Sequence, residues 1–482
     1  MTGIKVLAVA SEIYPLVKTG GLADVVGALP LALRRDGVET TTLVPGYPAV
    51  MAAIRSADTL LTLDDLFGGG ARVLRSAVAD LDLLVLDVPH LFDRPGNPYT
   101  APNGGDWPDN AFRFGALAWI AAQLGLGKAA GYAPDIIHAH DWQAALTFAY
   151  LAYQDRRRPS TVLTVHNLAY QGQFPAELLQ QLRLPAHAFT IDGVESYGNI
   201  GFLKAGLQFA DRITTVSPTY AREIQTTENG CGLDGLLRAR SSVLTGIRNG
   251  IDVEVWNPET DTRIVSRFGP TTLSARRPNK AALQHRFGLH QDPDRLLFAV
   301  ISRMAWQKGL DLLADASPAL LVRGAQLAVL GTGDRALEQR FTALARDNPA
   351  ALGCILGHEE DLAHLIQAGA DALLVPSRFE PCGLTQLCAM RYGAIPVVAK
   401  VGGLADTVVD LTQTPAAGAT GMQFYPVTRE ALEAALHRTA DLWSDSAAWQ
   451  ALQSNAMQSD VSWAAPANEF SRLYTGLLAP KN

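Results

Sequence analysis

Cysteine is scarce in this 482-residue chain: only Cys231, Cys354, Cys382 and Cys388 occur. They form no C-x-x-C pair and no dense framework, which excludes a disulfide scaffold and makes a reducing cytoplasm the expected compartment. Positive charge is in deficit, with 40 Lys and Arg against 47 Asp and Glu and a formal charge of −7. A nucleic-acid partner is therefore not expected, and an anionic ligand would need a local basic site. No window approaches the about 18 nearly uncharged apolar residues of a membrane span. The opening run "MTGIKVLAVASEIYPL" stops at Glu12 with no small-residue cleavage site, so it reads as a first strand and not as a leader. Both G-x-G-x-x-G and G-x-x-x-x-G-K-[ST] are missing, which leaves a dinucleotide fingerprint and a Walker loop without support.

Apolar runs alternating with helical stretches are what the chain does have. Buried strands are expected at 4–11, 81–88, 134–140, 160–167 and 211–217, then at 296–303, 325–333, 353–357, 371–377 and 395–400. Such alternation implies parallel sheets covered by helices on both faces, and the length suits two domains of roughly 200 residues or more. The divide falls near "SSVLTGIRNGIDVEVWNPETD" (241–261), giving domains at 1–245 and 246–457. A terminal segment, 458–482, contains a helix bearing Trp463, Phe470, Leu473 and Tyr474, with Asp460 or Ser462 as its cap. The stretch 245–258 and the one before the terminal helix are the expected hinges.

Lys-x-Gly-Gly-Leu-Ala-Asp occurs twice, at Lys18–Asp24 and Lys400–Asp406, each time after an apolar run. Adjacent glycines let a backbone approach a ligand, and the first N–H groups of the helix that follows face anionic oxygens. Lys18, Gly20 and Gly21 would thus hold an anion, and Gly402 and Gly403 sit alike; an ordinary turn fits either copy equally well. Arg303 and Lys308 flank the end of another strand and read as diphosphate ligands or as a solvated pair. In "PSRFEPCGLTQLCAMRYG" (376–393), Glu380 precedes Gly383, Leu384 and Thr385 at a helix start. It reads as a helix-end carboxylate or as an acceptor of sugar hydroxyl hydrogens beside amides that hold phosphate. His138, His140, Asp141 and His166 could ligate a metal or simply end strands. Asp80 and Asp82 punctuate a strand.

Together these residues closely resemble the bacterial glycogen synthase and plant starch synthase family over nearly the whole chain: Lys18–Asp24, His138–Gln143, Thr164–Gly172, Asn249–Pro258, Arg303–Lys308, Glu380–Gln386 and Gly402–Thr407. The resemblance implies an α/β fold of the GT-B type, two Rossmann-like domains facing across a deep interdomain cleft, with the last helix returning to the N-terminal domain. It implies a retaining hexosyltransferase moving glucose from ADP-glucose to the non-reducing end of an α-1,4-glucan, glycogen or a maltooligosaccharide, without metal or other cofactor. Lys18, Arg303 and Lys308 look like the diphosphate cations, with Gly20, Gly21, Gly383, Leu384 and Thr385 as donor-side backbone. Glu380 looks like the donor-sugar ligand, and His166 and Asp141 like groups around the transferred glucose. Tyr99, Trp142, Asn167 and Tyr170 are the acceptor-side candidates, with Trp107 a further aromatic.

Two positions depart from the family pattern. Cys388 stands where related nucleotide-sugar transferases carry a second Glu, a residue the starch-synthase branch commonly lacks. "LGHEEDLAH" puts His358 on the adenine side where that branch often has Tyr. A UDP-glucose donor, a catalytically weak glucan binder and a nucleotide-sugar epimerase or hydrolase are the competing readings. An NAD-dependent oxidoreductase lacks its glycine fingerprint.

Overall fold

A computed structural model describes residues 3–412 and 418–479; the end of the terminal segment, 480–482, lies outside the described residues. Two compact units emerge: one runs to Asn249 and includes the residues from Trp463 onward, and the other is Gly250–Ser462.

In the first unit β1 (Ile4–Val9), β2 (Val38–Pro45), β3 (Asp58–Leu63), β4 (Ala71–Val78), β5 (Leu81–Asp87), β6 (Ile136–His140) and β7 (Ser160–Val165) are joined by β11 (Arg212–Thr215) and β12 (Leu244–Gly246) in one nine-stranded sheet. A separate three-stranded sheet comprises β8 (Gln173–Pro175), β9 (Glu195–Ser196) and β10 (Asn199–Gly201). The large sheet has the order β12-β11-β7-β6-β1-β2-β5-β4-β3. It is parallel from β12 to β5, but β4 pairs antiparallel with both β5 and β3. The all-parallel expectation is corrected there. The chain turns back through Ala79 and Asp80, both at positive φ, and a tight turn can join only antiparallel neighbours.

Apolar side chains of β1, β6 and β7 meet the helix Gly21–Leu33 and the terminal helix Ala464–Leu478. Val6, Val25, Leu29, Ile136 and Val162 form one buried cluster with Trp463, Phe470 and Tyr474. Asp460 accepts the Ser462 N–H at 2.9 Å ahead of that helix, but neither residue caps it as expected: the N-cap position is Trp463, with no side-chain cap hydrogen bond.

The second unit has a single parallel sheet of β13 (Leu297–Ile301), β14 (Gln326–Gly331), β15 (Leu352–Leu356), β16 (Ala372–Val375), β17 (Ile395–Ala399) and β18 (Met422–Phe424), ordered β15-β14-β13-β16-β17-β18. Its strands are buried on both faces by separate apolar clusters, which is why they read as continuous apolar runs.

The order of the parallel strands reverses between β1 and β6 in the first unit and between β13 and β16 in the second. At such a reversal the loops leaving neighbouring strand ends diverge and open a crevice for ligand.

Candidate active site

The loops at the reversals carry most of the chemistry-bearing residues. After β1, Glu12 is only 2% exposed. Its carboxylate accepts the Thr19 N–H, the Thr19 hydroxyl at 2.6 Å and the Gly20 N–H at 3.3 Å, and also the Tyr99 hydroxyl. Two of the amides that would greet an anion are thus already engaged by an internal carboxylate. Lys18 pairs with Asp24 at 2.8 Å, its Nζ 5.4 Å from the centre of the Tyr14 ring. Tyr99 is held by the buried Arg113, whose guanidinium donates to the Leu91 and Pro98 carbonyls and to Asn110 Oδ1, while Asn110 in turn donates to the Tyr99 carbonyl. Burial, then the Glu12 charge, keeps the Tyr99 hydroxyl protonated.

After β6, Asp141 adopts φ +56°, a left-handed conformation uncommon for Asp. The turn aims its carboxylate at the end of β7, where Oδ1 accepts the His166 N–H at 2.6 Å and, more weakly, the Asn167 N–H at 3.4 Å. Burial pushes Asp141 up to about 7, although those two amides pull the other way. His140 Nδ1 lies 3.0 Å from His166 Nε2, and His138 is bonded on one nitrogen to Tyr474 and on the other to Thr164. Burial lowers His138 and His166 to about 3, and His140 far below the ordinary imidazole value. All three rings are neutral near pH 7. Among the described residues no group of three or more His, Cys, Asp or Glu could hold a metal ion.

Trp142 packs edge-on to Phe114 and beside Phe174 and Phe202. Asn167 closes a local turn by accepting the Ala169 N–H at 3.0 Å, and Tyr170 is 50% exposed. Trp107 donates to the Asn97 carbonyl and packs against Arg94.

In the second unit, Lys308 Nζ meets Glu380 Oε2 at 2.6 Å, and Ser377 donates to the same oxygen at 2.8 Å. The loops after β13, β16 and β17 are laced together. Gln307 donates to the Phe379 carbonyl, Arg378 N–H to the Gln307 carbonyl, and Gly403 N–H to the Glu380 carbonyl. Gly309 has φ +64°, and a Cβ there would lie 1.9 Å from the Pro376 carbonyl oxygen, so only glycine allows that approach. Arg303 is exposed, with Nη2 3.4 Å from Gln307 Oε1. Gly383 and Leu384 lead into the helix Thr385–Tyr392, whose first-turn amides have no intrahelical partner. His358 follows β15 and is exposed, 3.9 Å from Glu360.

The structure thus joins Lys308 to Glu380 and Asp141 to His166 and Asn167, and it ties Tyr99 to the glycine loop through Glu12. Sequence reasoning did not single out Glu12 or Ser377. A lone Glu after a strand or a Ser before a loop carries no signature, and only the fold reveals what they touch.

Comparison with known proteins bears on what this assembly belongs to. The family model of the starch synthase catalytic domain matches residues 5–239, and that of glycosyl transferases group 1 matches residues 283–451. A glycogen synthase of Rhodopseudomonas palustris (strain BisA53) is 62% identical over 484 residues, covering 100% of this chain and 99% of that protein. The chain belongs to the glycogen synthase family. A glycogen synthase of Methylocella silvestris is 57% identical over 99% of both chains. The catalytic domain of starch synthase IV from Arabidopsis thaliana, solved bound to ADP and acarbose, superposes with a TM-score of 0.90 at 32% identity, covering 98% of this chain and 99% of that one. The two Rossmann-like units are therefore those of a GT-B glycosyltransferase of the starch and glycogen synthase type. No helix among the described residues is long and apolar enough to cross a membrane.

Proposed function

We propose that this enzyme transfers glucose from ADP-glucose to the non-reducing 4-hydroxyl of an α-1,4-glucan with retention of the α configuration, in the cytoplasm and without a metal. The observation that carries the reading is the Lys308–Glu380 pair at the sheet reversal of the second unit. A carboxylate fixed by an ammonium and a serine hydroxyl is an oriented acceptor for donor-sugar hydroxyls. The ammonium beside it can neutralise the charge that grows on the diphosphate as the sugar–phosphate bond breaks. Lys18, Arg303 and the backbone of Gly20, Gly21, Gly383, Leu384 and Thr385 complete the diphosphate ligands in this reading, with His358 on the adenine side.

His166 and Asp141 contact the transferred glucose, and Tyr99, Trp142, Asn167 and Tyr170 serve the acceptor. The bond from the anomeric carbon to phosphate oxygen breaks, its electron pair leaves with ADP, and the acceptor oxygen bonds to that carbon on the same face. The acceptor proton passes to the departing phosphate. Same-face attack is favoured over double displacement because the latter needs a free carboxylate nucleophile. Asp141 is a poor one: its Oδ1 is occupied by the His166 N–H, and burial favours its protonated form.

The test incubates purified protein with maltotriose and either ADP-glucose or UDP-glucose, following nucleotide release, chain extension and the anomeric signals of the product. Extension with new α-1,4 linkages from ADP-glucose is expected. Nucleotide release without extension would refute transfer, and faster extension from UDP-glucose would reassign the donor.

A further inference from the structure

We propose that His140 is a positioning residue that fixes the ring orientation and tautomer of His166, and that the terminal helix is coupled to the active site through Tyr474, His138 and His140. The inference rests on the reading that His166 faces the transferred glucose.

His138 and His140 are two residues apart on β6, so their side chains leave the same face of the sheet. The rings stack at 4.2 Å between centroids with 29° between planes, and both are about 2% exposed or less. Tyr474 of the terminal helix holds His138 Nδ1 at 2.7 Å, and Thr164 holds its Nε2 at 2.6 Å and reaches Thr214 at 2.6 Å. His138 therefore cannot turn without breaking two buried hydrogen bonds, and its ring forms a wall against which His140 is set. His140 Nδ1 then meets His166 Nε2 at 3.0 Å.

Between two neutral imidazoles that contact contains one proton, and each ring has one donor nitrogen and one acceptor nitrogen. If His140 carries its proton on Nδ1, His166 accepts at Nε2 and its own proton sits on Nδ1. If His140 carries it on Nε2, His166 donates from Nε2 and its Nδ1 is an acceptor. The two tautomers are locked together, and the choice made at His140 decides whether the remaining nitrogen of His166 donates to a sugar hydroxyl or accepts from it. His166 is secured at its backbone by Asp141, so His140 supplies the complementary constraint on the ring. Removing it frees the ring to flip and to exchange tautomers.

The experiment compares His140→Leu, His140→Asn and Tyr474→Phe with the native enzyme and with His166→Ala. Steady-state kinetics and the nitrogen resonances of 15N-histidine-labelled protein are the readouts. His140→Leu is expected to lower kcat by about 10²-fold with a smaller change in KM, since misplacing a positioned group costs about that much. His140→Asn, which keeps a polar atom at the Nδ1 position, should recover most of the loss. In a His166→Ala background His140→Leu should cost less than about twofold, because residues acting through one contact are not additive. The resonances should show one His166 tautomer in the native protein and a mixture in His140→Leu. The same fold loss in both backgrounds, or an unchanged single tautomer in His140→Leu, overturns the proposal. Where His140→Leu does not fold, His140→Gln, whose amide extends beyond the Nδ1 position, carries the same comparison. Unchanged resonances in Tyr474→Phe would detach the terminal helix from the site. Full activity in His166→Ala would refute the functional reading of His166 while leaving the tautomer measurement to decide the positioning.

Discussion

Lys308→Ala separates two consequences that one lysine has in this structure. The ammonium and the Glu380 carboxylate are 2.6 Å apart with side chains only 19% and 8% exposed, so the pair lies much nearer the buried limit than the surface one. Removing one partner of a buried pair strands the other charge and costs about 3–5 kcal/mol. Ser377 still donates to the same carboxylate oxygen, which places the expected loss near about 3 kcal/mol. For a unit of this size that is a fall of about 6–12 °C in melting temperature. The catalytic consequence is independent. Loss of one preorganised electrostatic group at a leaving diphosphate should lower kcat by about 10²–10³-fold, with chain extension still measurable.

Adding Glu380→Gln distinguishes the two. The amide carries no charge to strand, so the double variant should regain most of the melting temperature while remaining as slow as Lys308→Ala or slower. Calorimetry of the ligand-free protein and initial rates at saturating ADP-glucose and maltooligosaccharide provide the measurements. An unchanged kcat in Lys308→Ala would remove this lysine from transition-state stabilisation. A double variant that melts as low as the single one would refute the stranded-charge account and leave lost packing of the lysine stem as the cause.

Asp141 predicts a pH dependence of stability. With its carboxyl pushed up to about 7 by burial, the folded state keeps a proton that the unfolded chain loses near pH 4. Stability should therefore fall from about pH 4 to about pH 7 and level off above. Asp141→Asn retains an oxygen for the His166 N–H and should lack that part of the fall in melting temperature; parallel curves for the two proteins would refute it. Gly403→Ala puts a Cβ 2.3 Å from the Cys382 carbonyl oxygen and should cost about 1–3 kcal/mol in thermal unfolding. Gly20→Ala, with φ −161° and nothing within 4 Å of its Cβ, should stay within about 0.5 kcal/mol, and equal losses at the two sites would contradict the packing argument. If cationic side chains and amides neutralise the leaving charge as proposed, chain extension in excess EDTA should match the untreated rate; a loss restored by a divalent cation would overturn the metal-free proposal.

The parallel strands were legible because burial on both faces leaves an unbroken apolar run, as in β16 and β17. The segments that escaped notice were those whose burial is mixed. β2 reads "VETTTLVP", where threonines occupy buried positions without raising hydrophobicity, and β3 is exposed or half-buried along its length. The antiparallel edge formed by β3, β4 and β5 depends on a turn at Ala79 and Asp80 that neither glycine nor asparagine announces. The cations and glycines of the candidate site were visible as motifs. Glu12 and the His140–His166 contact were not, because their meaning lies in partners brought close by the fold: Tyr99 is 87 residues from Glu12, and His166 is 26 from His140.

The repeated Lys-x-Gly-Gly-Leu-Ala-Asp has a different physical use in each half. At the first copy the helix continues for 13 residues, Lys18 is paired with Asp24, and the amides of Thr19 and Gly20 are held by a buried carboxylate. A ligand oxygen arriving there would have to share or displace Glu12, so this loop is tensioned from within the protein. At the second copy the helix Gly402–Thr407 ends after six residues, too short for much of a dipole, and Gly403 donates to the Glu380 carbonyl. Its lack of a side chain lets the β17 loop lie against Cys382, and Thr407 and Gln386 tie the two loops further. The second Gly-Gly therefore shapes the loop that carries Glu380, whereas the first presents a lysine and a helix start. Identical sequence after two strands does not imply duplicate anion sites, because what each glycine is needed for depends on the carbonyl or carboxylate that faces it.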